Sequence, residues 1–377
     1  MSGIVVKEVK TAKQRYEFLN FPLYLYRENP FFVPPLYSDE RKLFRKNYVY
    51  SDTCKTVYFN AYRGGVICGR ISGIIQTAAN EKYNEKRVRF TRFDAINDQE
   101  VANALFDAVE KWAAANGMDT VAGPLGFSDL EREGLLIDGF DELSTFEEQY
   151  NAAYYAGLIE KCGYSKEVDW VEYRIKLRGG KPDERILKLE EYMLKRYNLH
   201  FGKAKNTNDF LRKYQDGFFE LLDVAYADIY GTVPFTEKMK KMMIDNFRLI
   251  IDLRFVSVIL DENEKVVALG ICFPSIAKAV QRSGGRLTPL TVAKILGAVK
   301  KPEIIDLGLV GVAPEYMRLG LGTAMVAEIM KMLDDPSIDH AETNLNLEDN
   351  ENIRLLWNHF DAVQHKKRRC YVKKLDG

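Results

Sequence analysis

No apolar run in this chain approaches the roughly 18 residues that a membrane-crossing helix needs, and the start MSGIVVKEVK has no signal-peptide core. Neither export nor a membrane span is expected. Charge of one sign is also missing, because Lys+Arg and Asp+Glu are both 54 over 377 residues. The chain as a whole therefore has no pull toward DNA or an anionic surface, although local patches stay open. Only four histidines occur, scattered, which leaves no zinc motif and no nucleophile–histidine–acid arrangement. The five cysteines, Cys54, Cys68, Cys162, Cys272 and Cys370, are odd in number and lack paired ligand spacing. A reduced, cytoplasmic chain without a metal is the expectation.

What is present is enough for two full cores: the length suggests two or three domains, and 46% of residues are hydrophobic. The most informative stretch is Ile304 to Leu333, IIDLGLVGVAPEYMRLGLGTAMVAEIMKML. Its branched and small apolar opening, Ile304 to Val312, reads as a buried strand ended by Pro314. Met325, Ile329 and Leu333 then recur at helical spacing, which places the turn Met317 to Thr323 at a helix N-terminus. Backbone N–H groups and the helix dipole make such a turn an anion site. A nucleotide-triphosphate loop is excluded, since Gly322 is followed by Thr323 and Ala324 with no lysine, and a dinucleotide fingerprint lacks its third glycine at Met325.

Val312, Pro314, Arg318, Gly320 and Gly322 instead resemble motif A of the GNAT superfamily, the acyl-CoA-dependent N-acyltransferases, with Met317 standing where Gln or Arg is usual. The resemblance implies an α/β fold with mixed sheets and a CoA pyrophosphate held at Arg318, Leu319, Gly320, Leu321, Gly322 and Thr323. It also implies a pantetheine arm along Val310 and Val312. Acetyl-CoA or another acyl-CoA would be the cosubstrate, and the backbone of Val310 would donate to the thioester carbonyl. Asn350, Ile353 and Trp357 match the family's N-x-x-A-x-x-x-Y spacing, so Asn350 joins the cofactor set. Trp357 departs from the tyrosine that protonates the leaving thiolate, because an indole N–H is no acid at biological pH.

In the strand after the long helix, alternation puts Glu342, Asn344 and Asn346 on one face. Glu342 is the candidate base, and Tyr371, on a closing strand Cys370 to Lys374, the candidate proton donor in place of Trp357. The first half has the order of a second GNAT core: a hairpin about Arg63-Gly64-Gly65, a strand Val88 to Phe93, a helix Val101 to Asn116, a strand Thr120 to Ala122, and a helix near Tyr154 to Gly163. Where its phosphate turn would lie, Asp94 to Glu100 holds three acidic groups and no glycine, which opposes a pyrophosphate. The expectation is two GNAT-like folds in tandem, 1–177 without CoA and 178–377 with it.

Residues 123–150 read as a long ordered loop, and Ile276 to Val299 as a helical insertion broken at Ser283-Gly284-Gly285. The expected activity is transfer of an acyl group from CoA to the amine of a small molecule or peptide. The alternatives are an inactive CoA sensor or interaction protein, and an aminoacyl-tRNA-dependent transferase using the basic run Lys366-Lys367-Arg368-Arg369. The sequence does not speak to oligomeric state.

Overall fold

The structure, a computed structural model, describes residues 3–227, 229–248 and 250–375. In chain order the first half contains β1 (Ile4–Glu8), α1 (Ala12–Leu25), α2 (Tyr37–Glu40), β2 (Cys54–Arg63), β3 (Val66–Gln76), α3 (Thr77–Tyr83), β4 (Arg87–Ala95), α4 (Gln99–Ala115), β5 (Thr120–Gly123), β6 (Leu135–Asp138), α5 (Tyr155–Lys161) and β7 (Ser165–Lys176). The second half adds α6 (Glu184–Arg196), β8 (His200–Phe201), α7 (Thr207–Ala225), α8 (Glu237–Phe247), β9 (Val256–Leu260), β10 (Val266–Pro274), α9 (Ala277–Gln281) and α10 (Pro289–Lys300). It closes with β11 (Ile304–Val312), α11 (Pro314–Met317), α12 (Gly322–Leu333), β12 (His340–Thr343), β13 (Asn346–Leu347), α13 (Glu351–Trp357) and β14 (Asp361–Lys374).

These elements form two compact units. One holds the chain up to Val171, Ala277–Val292 and the residues from Lys366 on; the other holds Glu172–Ile276 and Ala293–His365. Set beside an expected cut at 177/178, the units interleave, and strand pairing is the reason. The end of β14 completes the first unit by pairing antiparallel with β5, Tyr371↔Gly123 through Lys374↔Thr120. The end of β7 serves the second unit, pairing with β12 at Ala341↔Ile175 and Glu342↔Arg174.

In the first unit the strands run β1-β2-β3-β4-β5-β14, with β4 and β5 parallel at Arg87↔Thr120. Helix α4 covers this sheet because Val101, Leu105, Phe106, Val109 and Ala113 fall on one face and are all buried. Its N-terminus is capped by Asp98, whose side chain accepts from the Glu100 N–H at 2.9 Å and is gripped by Arg63. The acidic turn 94–100 is thus a helix cap, and Asp94 is spent on the buried Arg70 at 2.7 Å. The loop 123–150 contains a strand that alternation did not reveal: β6 pairs with β14 at Leu135↔Arg369, a partner far off in sequence. The segment 29–36, in which Pro30, Pro34 and Pro35 bar a regular helix, is pinned by its apolar residues, with Phe32 and Val33 buried. Gln281 Nε2 donates to the Pro30 and Phe32 carbonyls, and Tyr37 N–H to the Gly285 carbonyl.

Asp169 of β7 is fully buried and receives Arg369 Nε at 2.8 Å, Lys367 Nζ at 2.9 Å and Lys166 Nζ at 3.1 Å. Burial opposes its ionisation, but the bonds from Arg369, Lys367 and Lys166 outweigh it and hold the carboxyl at about 2. Since the folded value lies below the unbound 3.8, its stabilisation is complete above pH 4 and fades as pH falls toward 2. Asp169→Asn is expected to lower the urea midpoint at pH 7 and to flatten its fall between pH 4 and 2; parallel wild-type and variant curves would refute this.

The second unit's strands run β7-β12-β11-β10-β9-β8. The sequence predicts a strand near Leu199 to Ala204, of which only the two residues of β8 pair. The sequence predicts a helix from Thr236 to Ile251; α8 covers Glu237–Phe247 of that span, and Leu249 lies outside the described residues. Helix α12 is buried along almost its whole length, packing Val326, Ile329, Met330 and Leu333 against Ile305 and Leu307 of β11. The helical insertion splits at Gly284 and Gly285, both at positive φ, into α9 and α10.

Candidate active site

Everything in the second unit's site turns on one extra residue in β11. Ile271 of β10 faces Leu309 and Cys272 faces Leu307, so Gly308 has no partner and forms a β-bulge. Only glycine fits there: a Cβ at 308 would stand 2.3 Å from the Phe273 ring and 3.0 Å from the Ile271 carbonyl. Beyond the bulge the Ala313 N–H donates to the Val267 carbonyl at 2.9 Å, which makes 313/267 a hydrogen-bonded pair. Alternation along an antiparallel ladder then turns the N–H and C=O of Val310 away from β10. On that side β12 is no longer alongside, because its parallel pairing with β11 stops at Leu307↔Thr343. Val310 therefore presents an unladdered backbone edge, and its carbonyl accepts from the Tyr226 hydroxyl at 3.0 Å.

Downstream, the turn expected to cradle phosphate is two short helical turns. Gly320, at φ +88°, reverses the chain between α11 and α12. The N–H groups of Met317, Arg318, Leu319, Gly320 and Leu321 bond back to the carbonyls of Ala313, Pro314, Tyr316 and Met317, which fixes the turn's shape. Gly322 opens α12, a Cβ there would press on the Met317 sulfur at 3.3 Å, and the Arg318 and Leu319 side chains are exposed. Leu321 is fully buried in the core beneath, so it anchors the turn. Thr323 is half-buried in the first turn of the helix. The Thr323 and Ala324 N–H groups also bond inward, to the Gly320 and Leu321 carbonyls, so in place of the expected row of free N–H groups the turn offers an anion the exposed Arg318 and the N-terminal dipole of a 12-residue helix.

Glu342 is buried on β12 as the centre of a charged group. Its Oε1 lies 3.1 Å from His340 Nε2 and 3.3 Å from Arg174 Nε, and its Oε2 is 2.6 Å from His365 Nε2. Asp339 lies 2.7 Å from His340 Nδ1 and 2.8 Å from Lys176 Nζ. Asp306 of β11 is in register with Glu342, which puts a second carboxylate in the same cross-strand row. The pairing of His340 with Glu342 was legible as an i,i+2 spacing on a strand. Arg174, Asp306 and His365 were not, since each reaches the cluster from another strand.

The remaining expected site residues separate. Asn350 caps α13, its Oδ1 accepting from the Ile353 N–H at 3.2 Å. Trp357 is buried and donates from Nε1 to Asn346 Oδ1 at 2.7 Å, a structural bond. The expected strand face of Glu342, Asn344 and Asn346 does not form, because β12 ends at Thr343 and Asn346 belongs to the separate β13. Tyr371 lies in the first unit, fully buried, its hydroxyl 3.2 Å from Glu160 Oε1. Burial, and then the Glu160 charge, push its phenol up to about 12. Tyr226, at the end of α7, was not singled out in the sequence, and nothing local marks it. Among the described residues no group of three or more His, Cys, Asp or Glu is placed to hold a metal ion, and no helix is long and apolar enough to cross a membrane.

No protein-family model matches the chain. Two curated proteins are similar over nearly their whole length. Protein YghO of Escherichia coli (strain K12) is 27% identical over 366 residues, 95% of this chain and 92% of that protein. A bacterial ceramide synthase of Caulobacter vibrioides (strain NA1000 / CB15N) is 27% identical over 387 aligned residues, 99% of this chain and 98% of that protein. Among solved structures, a tandem GNAT protein from the clavulanic acid biosynthesis pathway superposes with a TM-score of 0.55, covering 100% of this chain and 99% of that one at 10% identity. A GCN5-related N-acetyltransferase from Sphaerobacter thermophilus gives 0.51 at 10% identity, over 99% and 96%. The bulged β11, the glycine turn ahead of α12 and these full-length superpositions agree, and in its fold the chain is a tandem GNAT-like protein.

Proposed function

We propose that this protein is an acyl-CoA-dependent N-acyltransferase with its CoA site in the second unit. The observation that supports this best is the bulge at Gly308, which frees the Val310 backbone edge ahead of the glycine turn. In this reading Val310 N–H polarises the thioester carbonyl, Val312 steadies the pantetheine arm, and the turn Arg318 to Thr323 receives the pyrophosphate. The amine attacks the thioester carbon, the C–S bond breaks, and the amine proton and the thiolate each need a partner. Glu342 takes the amine proton. Along a strand, the four residues from its neighbour Asp306 to Val310 span roughly 13 Å, so the proton travels through water, and His340 and His365 share the charge. Tyr226, whose hydroxyl already touches Val310, supplies the proton to the thiolate in place of Tyr371.

The first unit is read as lacking CoA, because Asp98 occupies the N-terminus of α4 with a carboxylate. For the acceptor, the similarity to the ceramide synthase over 98% of its length favours a long-chain amine and a fatty acyl donor over a peptide and acetyl-CoA.

Calorimetric titration with acyl-CoAs of increasing chain length tests the reading. Gly320→Glu, and Arg318→Glu at an exposed position that leaves the fold alone, are each expected to weaken binding about 10-fold or more, the size of one lost charge-assisted contact of roughly 1.5–3 kcal/mol. Unchanged affinity in Arg318→Glu with an unchanged melting curve would remove the CoA assignment from this turn.

A further inference from the structure

The insertion between β10 and β11 has an unusual composition for a chain of balanced charge. Residues 277–302 carry six cations, Lys278, Arg282, Arg286, Lys294, Lys300 and Lys301, and no Asp or Glu. Its helix α10 also presents the wrong face to water. Thr291 and Ile295, the side it buries, are 3% and 8% exposed, whereas Leu290 is 65%, Leu296 56% and Val292 42% exposed, with Leu287 at 44% in the turn before. At 100° per residue, Val292, Leu296, Ala293, Gly297 and Leu290 share one outward arc, with Lys294 at its border and Lys300 on the same side in the last turn. A single exposed leucine is ordinary. An apolar outer stripe on a helix, in a segment whose own charged residues are all cations, is a surface waiting for something.

We propose that α10 is a membrane-surface docking helix, which seats its Leu290/Val292/Leu296 stripe among the acyl chains at the face of an anionic phospholipid bilayer. The charge pattern selects this occupant. Lysines on a short apolar helix reach back to the headgroups while their stems stay in the apolar layer, and each cation near an anionic leaflet adds attraction. A second copy of this chain would set six cations against six, with no acid in the segment to offset them. Docking of this kind needs no spanning helix. It is independent of the acyl-transfer reading, since it concerns a different surface and is measured without substrate.

The test is flotation of the full-length protein with vesicles of phosphatidylcholine alone and with added phosphatidylglycerol. Wild type is expected to float with the anionic vesicles and to partition at least 10-fold less to the neutral ones. Leu290→Glu/Leu296→Glu and Lys294→Glu/Lys300→Glu are each expected to lose at least 10-fold of the anionic partitioning with unchanged thermal melts, because these side chains are exposed. Three results would overturn the proposal: wild type that stays unbound, a Leu290→Glu/Leu296→Glu variant that floats like wild type, or sedimentation velocity showing a dimer that the same variant dissolves while vesicles bind neither.

Discussion

Glu342→Gln is expected to lower kcat about 10²- to 10³-fold, within the range that a positioned base contributes, while acyl-CoA affinity stays within about threefold. The separation follows from where Glu342 sits. It is on β12, beside Asp306, four residues along from the Val310 edge, so removing its charge leaves the CoA turn untouched. The substitution keeps the shape and one acceptor oxygen, turns the other into an NH2 donor, and removes the charge that His365 at 2.6 Å, His340 at 3.1 Å and Arg174 at 3.3 Å converge on. Single-turnover acylation with saturating acyl-CoA reads the chemical step directly. His365→Gln supplies the second arm: if His365 carries part of the relay, its loss reduces kcat by a smaller factor and shifts the pH profile. A variant that loses activity only in proportion to its folded fraction, measured by thermal melt at each pH, would show Glu342 to be a structural ion-pair centre instead.

Tyr226→Phe is expected to cost about 10²-fold in kcat with little change in KM, the low end for general-acid catalysis. The hydroxyl is the one group removed, and the ring that positions it is kept. Its bond to the Val310 carbonyl at 3.0 Å places a donor next to the backbone edge where the thioester would lie. Because the proton is needed only by the leaving thiolate, acyl donors with better leaving groups than CoA should be less affected. The diagnostic comparison is Tyr226→Phe with CoA thioesters against thiophenyl esters. An equal loss for both would assign Tyr226 to positioning, and no loss would return the donor role to another group. Tyr371→Phe is the natural companion. Engaged with Glu160 inside the first unit, Tyr371 is expected to affect stability more than turnover.

The contrast between these two tyrosines shows what local sequence carries. Tyr371 was marked by its place on a strand near the chain's end, and that strand was real, but its register with β5 places it in the first unit. Tyr226 ends an amphipathic helix and has no motif around it. It matters only because α7 delivers it to a carbonyl 84 residues away. Trp357 carries an indole, which is no acid at biological pH, and its N–H fastens Asn346.

By itself the sequence determined the strand–turn–helix from Ile304 to Leu333, because its signals are short-range: a branched apolar run, Pro314 after it, Gly320 where φ must be positive, and helical periodicity behind. It also determined α4, through a cap and a one-sided apolar pattern, and the hairpin about Gly64 and Gly65, through turn chemistry. Only the tertiary structure decided which strands complete which unit, since β7 and β14 choose partners by register across long sequence separations. It alone decided that Gly308 is a bulge, because an unpaired residue exists only relative to the strand opposite. It alone gathered Asp306, Arg174, His340 and His365 around Glu342, which are neighbours through strand pairing and not through sequence.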